Sequence, residues 1–150
     1  TIPRSSRPRR ARRPRLVAEP VTVGLLEQIR RITVASEIAM RVGAADTATY
    51  NDVASLLESV GAAVLGRLPE HHADAISIQS ACLTMIAAGK RWRGDLVPFS
   101  PADANAIARG LDAIERHVPE LTTTADIKRA QIRALRARAN QSTTEESTSA

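Results

Sequence analysis

Residues 49–69 read TYNDVASLLESVGAAVLGRLP, and this stretch decides the fold class. Val53, Leu56, Leu57, Val60, Ala63, Val64 and Leu68 recur at helical spacing, which lines them along one face and leaves Glu58 on the other. It is the strongest amphipathic segment of the chain. Thr49, followed three residues later by Asp52, has the form of a helix start: a hydroxyl to take an orphan amide and a carboxylate in the positive first turn. Pro69 closes the segment. Gly61 and Gly66 weaken it intrinsically, so their use is to let another helix come close.

The pattern continues on both sides. Upstream, Leu25, Leu26, Ile29, Ile32, Ser36, Ala39 and Met40 make one face of a helix running from Thr22 to about Arg41, with Gly43 as its stop. Downstream, a helix from about Ala73 to Ala88 turns Ala75, Ile78, Cys82, Met85 and Ile86 inward and ends at Gly89. Ser100, Pro101 and Asp103 form the clearest start signal in the chain: a capping hydroxyl, a proline at the first helical position and an acid in the first turn. Ala104, Ile107, Leu111, Ile114 and Val118 follow as a narrow stripe suited to antiparallel bundle packing, and Pro119 stops it. Thr122, Thr123 and Thr124 offer caps for a fifth helix, from about Ala125 to Ala139, docked by Ile127 and Leu135. No alternation is long enough for a sheet. The expectation is an all-α protein with a four-helix bundle-like core over about 21–119, a fifth basic helix closing a domain at 139, and disordered termini over 1–20 and 140–150.

Composition fits thin, closely packed helices. Leu, Ile, Val and Phe supply 34 of 150 residues, close to the composition that stays disordered for lack of burial, and 26 Ala supply much of the rest of the apolar content. Alanine loses no rotamer entropy in a helix, so helices form readily but bury little each. Three aromatic residues exclude a row of stacking rings of the kind that lines single-strand nucleic-acid grooves. A lone Cys82, flanked by Ala81 and Leu83, excludes an intramolecular disulfide and reads as a small buried hydrophobe. There is no apolar run of membrane-spanning length, and Glu19 and Pro20 interrupt the weak run after the Arg-rich start, so the chain reads as intracellular and cytoplasmic.

The formal charge of +5 conceals a segregated distribution. Residues 1–15 hold seven Arg and no acid, residues 16–126 hold nine basic and fourteen acidic side chains, residues 127–139 hold five basic and none acidic, and the last eleven add two acids. Pro3, Pro8, Pro14 and Pro20 keep the start from forming a continuous helix. Arg4, Arg7, Arg9, Arg10, Arg12, Arg13 and Arg15 therefore lie on an extended arm able to follow a phosphate backbone, where each phosphate neutralised releases counterions. A protein or membrane surface, or water alone, can also receive such an arm. In the fifth helix, Arg129, Arg133 and Arg136 fall within a sector of about 60° and either extend a polyanion footprint or meet the acidic body of this or a second copy.

Other candidates are weaker. Lys90, Arg91 and Arg93 surround Trp92, which can stack on a base but more simply pins the 92–99 connection to the core with Leu96, Val97 and Phe99. Gly89 and Lys90 lack the upstream glycine of a phosphate loop, since position 84 is Thr. His71, His72 and Asp74 are the only metal-like cluster; adjacent histidines point in different directions and His117 is remote in sequence, so they read as loop histidines, with Asp74 favouring a first helical turn. No spacing proposes a nucleophile with its base, and Glu27, Glu37, Glu58 and Glu115 sit on polar faces of separate helices. The sequence therefore proposes no catalytic residue, metal or cofactor.

Asn51, Asp52 and Val53, through Leu56 and Leu57, to Leu65, Gly66, Arg67, Leu68, Pro69 and Glu70 form a stretch that resembles a segment of small helical proteins of unknown function common in actinobacteria. The resemblance spans about twenty residues. It implies a helical fold and an actinobacterial source, and it carries over no activity; separately, 19 Arg against 2 Lys, with abundant Ala, suggests a GC-rich genome. The functional expectation rests on charge: a non-enzymatic binding or assembly protein whose helical body makes protein contacts, including self-association, while the arm touches nucleic acid or another polyanion without base-specific readout. The alternative is a structural or protein-interaction subunit of a larger assembly with no nucleic-acid role.

Overall fold

A computed structural model describes residues 23–148 of the chain, and the Arg-rich arm lies outside them. The described residues form five helices. Helix α1 spans Val23–Arg41; α2 runs continuously through Thr47–Leu56, a π-helical turn at Leu57–Gly61 and Ala62–Leu65; α3 spans Ala73–Arg91, α4 Pro101–Leu121 and α5 Thr124–Thr148. The all-α class holds, as does a four-helix core with a fifth, basic helix against it.

Side-chain pairs at the helix ends fix the topology. Arg91 Nη2 at the end of α3 lies 2.8 Å from Asp103 Oδ2 at the start of α4, and Asp74 at the start of α3 meets Arg116 and His117 at the end of α4, so the two helices are antiparallel. Arg41 donates to Asn105 while Arg30 faces Glu115, which sets α1 antiparallel to α4. Arg67 pairs with Asp126, and Arg138 with Glu58, which lays α5 antiparallel along α2. The chain thus alternates direction along the core, as short connections favour.

Helix ends follow local chemistry. Helix α1 ends in a Schellman motif, with Gly43 at φ 71°, its amide on the Met40 carbonyl and the Ala44 amide on that of Ala39. The start of α2 differs from the sequence reading. Asp46, not Thr49, is the cap: its carboxylate accepts the Thr49 amide at 2.9 Å and the Thr49 hydroxyl at 3.0 Å, because an ionised acceptor outcompetes a hydroxyl. Those bonds, the Thr49 amide first, hold the Asp46 carboxyl below the usual carboxylate range. The π turn in α2 adds a residue to its inner face, so Leu56, Leu57, Val60, Gly61 and Val64 all point inward. Ser100 and Asp103 make the full reciprocal capping box on α4.

Three stops lie later than expected. Helix α3 passes Gly89 and ends at Arg91, where Lys90 and Arg91 suit the negative end of the helix. Helix α4 passes Pro119 to Leu121; in the last turn the proline removes one hydrogen bond, and the Val118 carbonyl is taken by the Thr122 hydroxyl at 2.7 Å. Helix α5 continues beyond Ala139 to Thr148, in place of a break at Asn140, since no Gly or Pro interrupts propagation there.

Ile29, Val53, Val64, Ile78, Ile107, Leu111, Ile114 and Val118 are fully buried, and small residues including Ala75, Ala81, Ala88, Ala104 and Ala113 fill the narrow gaps between helices. The α4 stripe is buried throughout, as its spacing requires. Three residues expected inward lie outward: Ile86, Leu96 and Leu135 are all more than half exposed. In α3 the inward face is made by Ala75, Ile78, Ala81, Met85 and Ala88, and in α5 by Ala125, Ile127 and Ala130, so small residues share these interfaces with a few large ones. No helix among the described residues is long and apolar enough to cross a membrane.

Candidate functional site

The basic face of α5 is built by its docking. Thr123 caps the helix: its hydroxyl accepts the Asp126 amide at 3.3 Å, and Asp126 Oδ2 accepts the Thr123 amide at 3.1 Å. Ala125, Ile127 and Ala130 are buried against α2, which turns the Arg129, Arg133 and Arg136 sector outward. Arg129 reaches back to Asp126 Oδ1 at 3.4 Å, and Arg138 pairs with Glu58. Arg133 and Arg136 are exposed and make no hydrogen bond or ion pair among the described residues. From Gln131 to Gln141 only Ala134 is partly covered, so this part of α5 stands against solvent along most of its circumference. Arg4, Arg7, Arg9, Arg10, Arg12, Arg13 and Arg15 lie outside the described residues.

A second cluster sits where α3 begins and α4 ends. His72 caps α3, its Nδ1 accepting the Asp74 amide at 3.0 Å. Asp74 Oδ2 lies 2.5 Å from His117 Nε2, and Arg116 donates to Asp74 Oδ1 at 2.9 Å. The two imidazoles stand edge to face, with centroids 5.5 Å apart. The hydrogen bond from His117, with the Arg116 charge, outweighs the opposing effect of burial and holds the Asp74 carboxyl below the usual range. His71 is exposed and outside the cluster. Sequence reading took the wrong third member, because His117 is 43 residues from Asp74 and only the antiparallel pairing of α3 and α4 brings it in.

The remaining candidates have structural uses. Trp92 is half-buried against Tyr50, centroids 5.3 Å apart, while its Nε1 donates to the Gly94 carbonyl. Arg91 reaches Asp103 and the Pro98 carbonyl, and Arg93 folds back on the Lys90 and Trp92 carbonyls, so two of the three cations beside Trp92 close the end of α3. Val97 is buried, its amide on the Ala45 carbonyl at 2.8 Å, and pins the connection as expected of it. Burial, and then the Glu58 charge, push the Cys82 thiol up, which disfavours the nucleophilic thiolate. Comparison with family models, curated proteins and solved structures returns no match.

Proposed function

We propose that the chain is a non-enzymatic binding or assembly protein: its helical body contacts protein, and its N-terminal arm together with α5 holds nucleic acid or another polyanion. The carrying observation is charge segregation, with seven Arg and no acid in residues 1–15 and five basic residues without an acid in 127–139, around an acidic middle. The exposure of Arg133 and Arg136, with no acidic partner among the described residues, supports the reading. Exposed guanidinium groups on one helix face can contact phosphate oxygens, and such contacts select no base. Polyanion affinity measured over a salt series tests it, with duplex DNA, RNA and heparin as probes. The full chain should lose affinity steeply with salt; deleting residues 1–15, or substituting Arg133→Ala and Arg136→Ala together, should each flatten the slope. Equal affinity and slope for all forms overturns it.

A second reading is a subunit of a larger assembly, with no role for nucleic acid. Val34 and Ile38, exposed at four-residue spacing on α1, and Val42, exposed just past its end, support it: a partner helix would cover them. Sedimentation with and without nucleic acid separates the two. An oligomer indifferent to nucleic acid favours the second.

A further inference from the structure

We infer that His72, Asp74 and His117 form a binding site for a divalent transition-metal ion, with Zn²⁺ the best match. One potential donor atom from each residue lies within 4.8 Å of the others, and all three side chains are half-buried. The donors are held by rigid elements: His72 by the cap of α3, Asp74 by its first turn, and His117 by the last turns of α4. Two imidazoles and one carboxylate suit zinc and its neighbours, whereas calcium and magnesium take oxygen almost alone.

The hydrogen-bond pattern leaves lone pairs for an ion. His117 Nε2 and Asp74 Oδ2 already converge, and an ion would replace the proton between them, that proton passing to solvent. Neither His72 Nε2 nor His117 Nδ1 has a hydrogen-bond partner among the described residues. Ligation by either nitrogen of His72 removes its cap on the Asp74 amide: ligation through Nδ1 uses the same lone pair, and ligation through Nε2 moves the ring proton to Nδ1. Arg116, bonded to the other Asp74 oxygen, would hold the carboxylate in place as an outer-shell partner. Tetrahedral bonds of about 2.0–2.2 Å set the donors roughly 3.4 Å apart, so His117 Nε2 and Asp74 Oδ2, now 2.5 Å apart, would separate by about 1 Å to admit the ion, and the fourth position stays open to water.

The test is equilibrium dialysis and Co²⁺ absorption with the untagged full chain, using Zn²⁺ and Co²⁺ alone. One Zn²⁺ per chain is expected, with a Co²⁺ spectrum of low coordination number. His72→Asn keeps a capping acceptor while removing the imidazole, so it should fold by circular dichroism yet lose more affinity than the roughly 10–100-fold that loss of an outer-shell partner costs. His117→Gln should do the same, Arg116→Ala should weaken binding less, and His71→Gln should leave it unchanged. No stoichiometric binding, or equal affinity in folded His72→Asn and His71→Gln, overturns the site. The result is independent of polyanion binding, so either proposal can fail without the other.

Discussion

Gly110 of α4 and Ala81 of α3 meet so closely that a Cβ built on the glycine would fall well inside contact distance of the alanine Cβ and 3.0 Å from the Ser77 carbonyl oxygen. The absent side chain lets these two helices approach. Gly110→Ala should therefore destabilise by about 1–3 kcal/mol through overpacking, although alanine is favoured by about 1 kcal/mol in an open helix. Gly24→Ala in α1, where a Cβ meets nothing within 4 Å, is the control and should lose no stability. Urea midpoints of the two variants settle the comparison.

A similar glycine allows a coupling experiment. A Cβ at Gly89 would lie 2.5 Å from the Tyr50 hydroxyl, which donates to the Met85 carbonyl at 3.1 Å. Tyr50→Phe should cost about 0.5–1.5 kcal/mol for the lost hydrogen bond. Gly89→Ala should cost more, because the ring must move. With the hydroxyl gone, the nearest ring carbon lies 3.3 Å from that Cβ, so Gly89→Ala should be less harmful in Tyr50→Phe than alone. Additive losses in a double-mutant cycle would refute the steric account.

Periodicity exposed the α4 stripe and the inner face of α2 because those faces carry large aliphatic residues, whereas α1 buries Thr33 and Ser36 beside Ile29 and Met40. It failed where small side chains do the packing. Ile86 looks inward by type but is exposed, while Ala81 and Ala88 join Ile78 and Met85 on the buried face of α3. Gly61 does take a close approach, its built Cβ 3.3 Å from Ile114, whereas Gly66 meets only carbonyls of its own chain segment. Gly110, the tightest contact, stands in an ordinary helical pattern that gives no sign of it. Its pairing with Ala81 sets the register: seven residues outward from each lie Asp74 and His117. The histidine cluster was illegible without that register, while the basic sector of α5 could be read from Arg129, Arg133 and Arg136 directly.

Acid should loosen α5. Burial opposes ionisation of Asp126, and it is outweighed by bonds from the Thr123 amide, Arg67 and the Thr123 hydroxyl, so the carboxyl sits below its usual value. A depressed folded-state pKa contributes stability above the unfolded value, near 4, and that stability is lost as pH falls through the folded value. Asp126→Asn should therefore be less stable than the native chain at pH 6, and the gap should close as pH approaches 2. A gap that stays constant with pH would mean that the ion pairs with Arg67 and Arg129 contribute nothing.

The docking of α5 concentrates on few residues, which makes it separable from the charge it displays. Ile127 is buried against α2, while Leu135, two turns on, is 64% exposed although both are large and aliphatic. Ile127→Ala should cost about 2–5 kcal/mol of the stability that holds α5 in place, and Leu135→Ala much less. Arg133→Ala and Arg136→Ala, on solvent-facing positions, should stay within about 0.5 kcal/mol of the native chain. Hydrogen exchange along α5 reads this directly: Ile127→Ala should raise exchange over the whole helix, whereas the Arg substitutions should leave its pattern intact. If Leu135→Ala opened the helix as far as Ile127→Ala, the distal half would be packed rather than presented, and its arginines would serve the fold instead of a partner.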